Sequence, residues 1–124
     1  MGIDIYAEWQ GQNAVAKRRQ RQVWLSVEAG SVGYLREAYH GAPYATMHLC
    51  AEAFGTGQAD IPAAVLKERL PRALELVEER YRSVYKDATA GHLAAAKQSF
   101  RDFVALCEAK EAETGAPVSV VASY

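Results

Sequence analysis

The sequence predicts an α+β domain in which a small, mainly antiparallel sheet of three to four strands packs on an antiparallel helical hairpin. Three observations support this prediction. Residues near both ends of the chain alternate between apolar and polar side chains, as half-buried strands do. Residues 61–114 follow a helical pattern almost without interruption. Half of the 124 residues are apolar and 23% are charged, which fits one globular domain over residues 1–124.

The first predicted strand covers residues 2–9. Its apolar side chains fall on alternate positions, which indicates a strand with one face on a core. These side chains are Ile3, Ile5, Ala7 and Trp9. The last residues of the chain, 117–124, alternate in the same way, with Val118, Val120 and Ala122 on one face. We expect this terminal strand to return and pair with the first.

A further strand is predicted over residues 22–28, where Trp24 would face outward. The side chains that would face inward are Val23, Leu25 and Val27. Residues 10–21, which lie between the two predicted strands, are expected to form a polar, basic connection.

Residues 42–55 are ambiguous. Pro43 at the start, Gly55 at the end and the alanine-rich sequence between them favour a helix. The alternation of apolar residues over 45–51 favours a strand instead. Periodicity alone does not decide between the two for so short a run, so 45–51 remains a possible fourth strand.

The first helix of the hairpin is predicted over residues 61–87. Asp60 can cap it, and Pro62 suits its first turn. Apolar side chains then recur at spacings of four and three, which form one stripe along an amphipathic helix. The stripe consists of Leu66, Leu70, Leu74, Val77 and Tyr81. Pro71 is expected to kink or split the helix near Leu70.

The second helix is predicted over residues 90–114 and should end at Gly115, where a left-handed cap suits glycine. Its buried face would carry Leu93, Ala96, Phe100, Phe103 and Cys107. The link between the two helices, D-A-T-A-G, is short, and short links join antiparallel neighbours.

The charges are evenly mixed along the chain. The net charge is −1; residues 1–62 carry five basic and six acidic side chains, and residues 63–124 carry nine of each. Such a balance gives no long-range field that would attract nucleic acid or an anionic membrane. The sequence also lacks a basic, then apolar leader and an apolar run of about 20 residues. We therefore expect a cytoplasmic protein without a membrane partner.

The cysteines and histidines predict neither a disulfide nor a metal site. Cys50 and Cys107 stand alone in apolar surroundings, as buried free thiols do. His40, His48 and His92 fall at no metal-ligand spacing. We assign no metal and no cofactor.

Residues 33–46 concentrate more polar and aromatic chemistry than any other stretch. The candidate binding residues are Tyr34, Arg36, Glu37, Tyr39, His40 and Tyr44. Tyrosines supply rigid contact area, and an arginine can donate two parallel hydrogen bonds to a carboxylate or phosphate. The sequence therefore favours a non-enzymatic interaction module that binds a protein partner or itself through this tract. The alternative without a binding role is a polar packing network of half-buried tyrosines and paired charges.

Two other functions are kept as alternatives. A small enzyme could use a cleft built from Arg36, Glu37 and His40, with His40 as general base and Tyr39 or Tyr44 as proton donor. Lys17–Arg21 carries four positive charges in five residues and could hold a nucleic-acid backbone. Because Trp24 is the only aromatic nearby in sequence, a solvated loop is the favoured interpretation of that run.

Two outward aromatic residues, Trp24 and Tyr124, are candidates for an interface with another chain, including a homodimer. The opening M-G-I-D-I-Y resembles the start of small, uncharacterised bacterial and phage-associated proteins that begin Met-Gly-apolar-Asp-apolar-Tyr. The tract over residues 33–46 and the closing A-S-Y add to this resemblance. It implies a bacterial or prophage accessory protein and brings no activity and no catalytic residue with it.

Overall fold

The computed structural model describes residues 2–84 and 89–124. Its strands and helices are, in chain order, β1 (Gly2–Glu8), α1 (Ala14–Gln22), β2 (Tyr34–Ala38), α2 (Ala45–Leu49), α3 (Ala51–Thr56), β3 (Gln58–Ile61), α4 (Ala63–Ser83), α5 (Ala90–Thr114) and β4 (Val118–Ser123). A short 3-10 turn at Gly30–Val32 precedes β2. The fold is α+β, as predicted.

The sheet is four-stranded, in the order β2-β1-β4-β3, and every neighbouring pair is antiparallel. The predicted return of the terminal strand is confirmed, because β4 pairs with β1 and aligns Ile5 with Ala122. The predicted alternation is confirmed as well. The buried face of these two strands carries Ile3, Ile5, Ala7, Val118, Val120 and Ala122.

The core lies between that face of the sheet and the helical hairpin of α4 and α5. The predicted inner face of α5 is confirmed, since Ala96, Phe100, Phe103 and Cys107 are all buried in the core. On α4, Leu66 and Val77 are fully buried, whereas Leu70, Leu74 and Tyr81 pack at the margin of the core. Gly115 caps α5 in the left-handed conformation, as predicted. The predicted end of the first helix, at residues 85–87, lies outside the described residues.

The prediction of a strand over residues 22–28 is wrong. Residues 10–21, predicted as a loop, largely form α1, which Asn13 caps by accepting a hydrogen bond from the Ala16 backbone at 2.8 Å. Lysine, arginine and glutamine favour helix, but α1 has almost no apolar stripe and so gave no periodic signal. After α1 the chain is irregular, and Leu25 and Val27 are exposed rather than inward-facing.

The second strand lies instead at Tyr34–Ala38, inside the tyrosine-rich tract. Residues 45–51 are helical, in α2 and the start of α3, so the strand alternative for them is wrong. The short strand β3 was not predicted. It contains Asp60, which therefore does not cap α4, and Pro62 takes the position before the first turn.

Of the two predicted effects of Pro71, a kink or a split, the split is wrong, because α4 runs through Pro71 as one continuous helix. Pro71 is exposed, so the carbonyl that loses its helical partner there can turn toward water. The continuous helix places residue 80 near its far end.

Candidate functional site

The tyrosine-rich tract divides between the two faces of the sheet. In β2, successive side chains point to opposite faces, and the pairing with β1 sets Glu37 beside Ile3 and Arg36 beside Asp4. Ile3 belongs to the core, so Glu37 points under the helices. Arg36 and Tyr34 point to the opposite face. The tract therefore forms two separate polar clusters.

The first cluster surrounds the Glu37 carboxylate, of which only 1% is exposed. Five groups donate or can donate to its two oxygens. They are the backbone N–H groups of Ala45 (3.0 Å) and Thr46 (2.8 Å), the Thr46 hydroxyl (2.5 Å), the Arg80 guanidinium (2.5 Å) and His40 Nε2 (2.9 Å). Buried charges are tolerated when they are paired and hydrogen-bonded in this way.

This cluster joins three parts of the fold. Glu37 belongs to β2, Ala45 and Thr46 begin α2, and Arg80 lies on α4. Two acceptor oxygens already receive five donors, and Arg80 is itself buried. The carboxylate is therefore fully used in holding these elements together, and its geometry is that of a structural anchor.

His40 lies at the edge of the same cluster. Its ring packs against the Tyr44 ring, with centroids 4.5 Å apart. The Tyr44 hydroxyl accepts hydrogen bonds from the backbone N–H groups of His40 (3.3 Å) and Gly41 (3.0 Å), which fixes the loop after β2. The Tyr44 hydroxyl thus accepts two hydrogen bonds within the loop. The cleft beside His40, lined also by Pro43 and Ser83, encloses about 160 Å³.

The second cluster lies on the other face of the sheet. The Asp4 carboxylate accepts hydrogen bonds from the Tyr34 hydroxyl and from Arg36 Nη1, the latter at 2.9 Å to each oxygen. The Tyr34 hydroxyl also accepts the Leu25 backbone N–H at 3.0 Å. Burial, and after it the hydrogen bond to Asp4, raises the pKa of Tyr34 well above its usual value.

The proposed enzyme cleft is not assembled in this structure. Glu37 and His40 do meet, but Arg36 is on the opposite face of the sheet and pairs with Asp4. Arg80 takes the place assigned to Arg36. The 160 Å³ cleft is also smaller than the roughly 300 Å³ that small-molecule sites usually need.

Arg80 is not among the candidate residues that the sequence offered, and its neighbours in sequence are the charged residues of the exposed face of α4. Charged residues of that face form ion pairs with each other: Arg72 pairs with Glu75 and Glu79, and Arg82 pairs with Glu78. A signal for Arg80 did exist in the periodicity. Residue 80 follows Val77 by three positions, so it falls on the buried stripe.

The remaining tyrosine of the tract, Tyr39, is half exposed beyond the end of β2. Both predicted interface aromatics are exposed, and Tyr124, at 57%, also makes contacts within the chain. Its ring packs on Phe54 with centroids 4.9 Å apart, and its hydroxyl donates to the Phe54 carbonyl. Trp24 is 58% exposed and does face solvent, although from an irregular segment and not from a strand.

Trp24 belongs to a short, mainly apolar surface formed by residues 23–27, here called the apolar segment. Leu25 is 51% exposed and Val27 is 46% exposed. Leu25 has a φ of 75°, a left-handed conformation that a leucine rarely adopts. The bond from its N–H to the Tyr34 hydroxyl holds it there. The second polar cluster therefore supports an apolar surface that faces water.

Within residues 2–84 and 89–124, no group of three or more histidine, cysteine or acidic side chains is placed to hold a metal ion. Both cysteines are buried free thiols. Burial raises the pKa of Cys107 to about 12 and also raises that of Cys50. In the same described ranges, no helix is long and apolar enough to cross a membrane.

Comparison with known proteins returns no family model, no curated protein and no solved structure that matches this chain. Function is therefore argued from the geometry of the chain itself.

Proposed function

We propose that the protein is a non-enzymatic interaction module that binds a second copy of itself. The contact surface consists of the apolar segment, residues 23–27, and the outer edge of β2. The observation that carries the proposal is the exposure of Trp24, Leu25 and Val27 on a segment that is hydrogen-bonded to the Tyr34 hydroxyl through the Leu25 N–H. Contiguous apolar side chains that a rigid scaffold holds in water are typical of protein contacts.

The edge of β2 supports the proposal because it is open. The Ala7 N–H donates to the Gly33 carbonyl at 2.8 Å, which marks residues 33, 35 and 37 as those that bond to β1. The N–H and C=O groups of Arg36 and Ala38 therefore point outward. No hydrogen bond to either N–H is found among the residues that the structure describes. Open edges of this kind are templates for pairing with another chain.

The apolar segment lies near the start of β2, on the face of the sheet that carries the Tyr34 side chain, because the Leu25 N–H donates to the Tyr34 hydroxyl. The Tyr34 N–H donates outward to the Ala29 carbonyl at 3.3 Å. Ala29, two residues beyond the segment, is therefore the residue that lies beside the edge. One partner can cover the exposed side chains and complete the hydrogen bonds of β2 at the same time.

A second copy is the partner that suits both features. When a strand pairs with its own copy across a two-fold axis, the pairing is antiparallel, as elsewhere in this sheet. The apolar segment carries no charged side chain, and the chain has a net charge of −1, so two copies meet without strong repulsion. Each copy supplies the same apolar surface, which doubles the area buried.

The test is the molar mass in solution, measured by light scattering over a wide concentration range. We expect the wild-type chain to reach twice its mass of 13.6 kDa as concentration rises. Leu25→Ser should remain monomeric because it removes apolar contact. Ala38→Pro should remain monomeric because it removes an outward N–H that the monomer does not use.

Met47→Ser is the matched control, since Met47 is an exposed apolar residue outside the proposed contact surface. This variant should dimerise like the wild type. A wild-type chain that stays monomeric at every concentration would overturn the proposal, and so would dimers that the Leu25 and Ala38 substitutions leave unchanged.

A further inference from the structure

Helix α1 concentrates positive charge in a chain that is otherwise acidic. Its nine residues carry four basic side chains and no acidic one: Lys17, Arg18, Arg19 and Arg21. The rest of the chain has ten basic and fifteen acidic side chains. All four α1 cations are exposed, and none forms an ion pair within the part of the chain that the structure describes.

A buried polar residue ties the helix to the rest of the fold. Gln20 is the buried residue of α1, and its side-chain amide donates to the carbonyls of Ala7 (2.7 Å) and Gly33 (3.4 Å). Most of the other side chains of α1 are exposed to solvent. By helical geometry, Lys17 and Arg21 share one side, and Arg19 lies on a different one. The cations therefore spread around the exposed circumference of α1.

A cleft containing an aromatic ring lies on each side of this helix. The first has a volume of about 310 Å³ and is lined by Tyr6, Glu8, Lys17, Gln20, Arg21 and Val121. The second has a volume of about 280 Å³ and is lined by Trp9, Ala16, Arg19, Ser31, Val32, Leu106 and Lys110. The sequence placed only Trp24 near these cations, whereas the fold adds Tyr6 and Trp9.

We infer that α1 and its two clefts bind a single-stranded nucleic acid. The cations around the helix can each contact a phosphate of a strand that crosses it. The aromatic rings in the flanking clefts can stack with the unpaired bases of that strand. An acidic peptide would pair with the cations of α1 but would not stack on the aromatic rings of the clefts. In a duplex the bases are stacked inside and do not reach Tyr6 or Trp9. This inference rests on α1 and is independent of the proposed dimer.

Two features limit how the strand can lie. Glu8 lines the first cleft and repels a phosphate there, so a base rather than a phosphate belongs at Tyr6. In the second cleft the Lys110 ammonium stands 5.0 Å from the centre of the Trp9 ring. The Trp9 ring also packs against the core, so a base can contact only the part of the ring that lines the cleft.

The test is fluorescence anisotropy with a labelled oligothymidylate at low salt. We expect the wild type to bind, with affinity that falls steeply as salt rises. Arg18→Ala and Arg21→Ala should each weaken binding and reduce the slope of log K against log salt by about 0.7. Tyr6→Leu should weaken binding with the slope unchanged, because it removes stacking and no charge, whereas Tyr6→Phe should bind like the wild type.

Glu8→Gln should bind more tightly than the wild type, because it removes the repelling charge. Arg101→Ala, which removes an exposed cation from α5, is the matched control and should leave binding unchanged. Leu25→Ser should also bind like the wild type, so that failure of the dimer and failure of this inference can be told apart. Circular dichroism of each variant checks that it folds.

The inference is overturned if the folded wild type does not bind the oligonucleotide at low salt. It is also overturned if polyglutamate binds equally well, or if Arg18→Ala and Arg21→Ala bind like the wild type. Preference for a duplex of the same sequence would remove the assignment to single strands.

Discussion

The Glu37 carboxylate and the Arg80 guanidinium form a buried ion pair that joins the edge strand β2 to the end of α4. Arg80 Nη1 lies 2.5 Å from Glu37 Oε2, and both side chains are almost completely shielded from water. Forty-three residues separate the two in sequence. The pair, with its bonds to the start of α2, explains how the Glu37 carboxylate can lie inside the fold.

Breaking this pair should be costly. Glu37→Leu and Arg80→Met should each lower the free energy of unfolding by about 3–5 kcal/mol, because each leaves a buried charge without its partner. The double variant should lose much less than the sum of the two. Urea unfolding of the four proteins in a double-mutant cycle measures this coupling.

The matched control is Glu108→Gln, which breaks the exposed pair with Lys67. It should change stability little, because exposed ion pairs contribute little. Additive effects of the Glu37 and Arg80 substitutions would contradict the structural role assigned to their pairing.

Gly30 should not accept a side chain. A Cβ added to Gly30 would lie 1.7 Å from the Ser99 carbonyl oxygen of α5, and the Gly30 N–H already donates to the Ser99 hydroxyl at 2.8 Å. Gly30→Ala should therefore destabilise the protein by about 1–3 kcal/mol, the range for overpacking. Gly55→Ala is the control. Nothing lies within 4 Å of its Cβ and it is in a helix, so thermal unfolding should show no loss of stability.

Replacing Leu25 by glycine should change the stability of the monomer and the stability of the dimer in different directions. Leu25 has a φ of 75°, which costs about 1–2 kcal/mol for a residue with a Cβ and little for glycine. Leu25→Gly should therefore keep or raise monomer stability while it weakens the dimer. Leu25→Ala, which retains the strain, is the comparison. Parallel thermal unfolding and mass measurements check both, and a Leu25→Gly variant that unfolds instead would contradict this account of the segment.

Stability should fall at alkaline pH. Burial raises the pKa of Cys107 to about 12, and burial also raises those of Cys50 and Tyr34. A group whose pKa is raised by folding stabilises the fold fully below its unfolded pKa, about 8.5 for cysteine, and this stabilisation is lost as pH rises toward the folded value. Urea unfolding from neutral pH upward should show the loss. Cys107→Ala should show a shallower decline, and an equal decline would exclude Cys107 as a source.

The sequence was most informative where an element buries one face, because its apolar residues then recur at a regular spacing. Alternation in β1 and β4 and the stripe on α5 predicted the strands, their pairing and the inner face of the helix, because each element has one face on the core. It failed for α1, which is polar on nearly all sides and is held by the Gln20 amide. It also failed for β2, where Glu37 occupies a core position that an apolar residue normally takes.

The candidate site could be predicted only in part. The tract over residues 33–46 was recognised as unusual, and Glu37 and His40, which do meet, were both among its candidate residues. The division of the tract between two faces depends on its being a strand, and the charged Glu37 at a core position concealed that strand. The role of Arg80 depends on a long-range contact, for which one sequence offers only the helical period.

The central claim is that the outer edge of β2 is covered by a second copy, and amide hydrogen exchange tests it most directly. The N–H groups of Arg36 and Ala38 should exchange fast in dilute protein and become protected as concentration rises. The Asp60 N–H points outward from the other edge strand, β3, and should exchange at the same rate throughout. Fast exchange of Arg36 and Ala38 at every concentration would contradict the account.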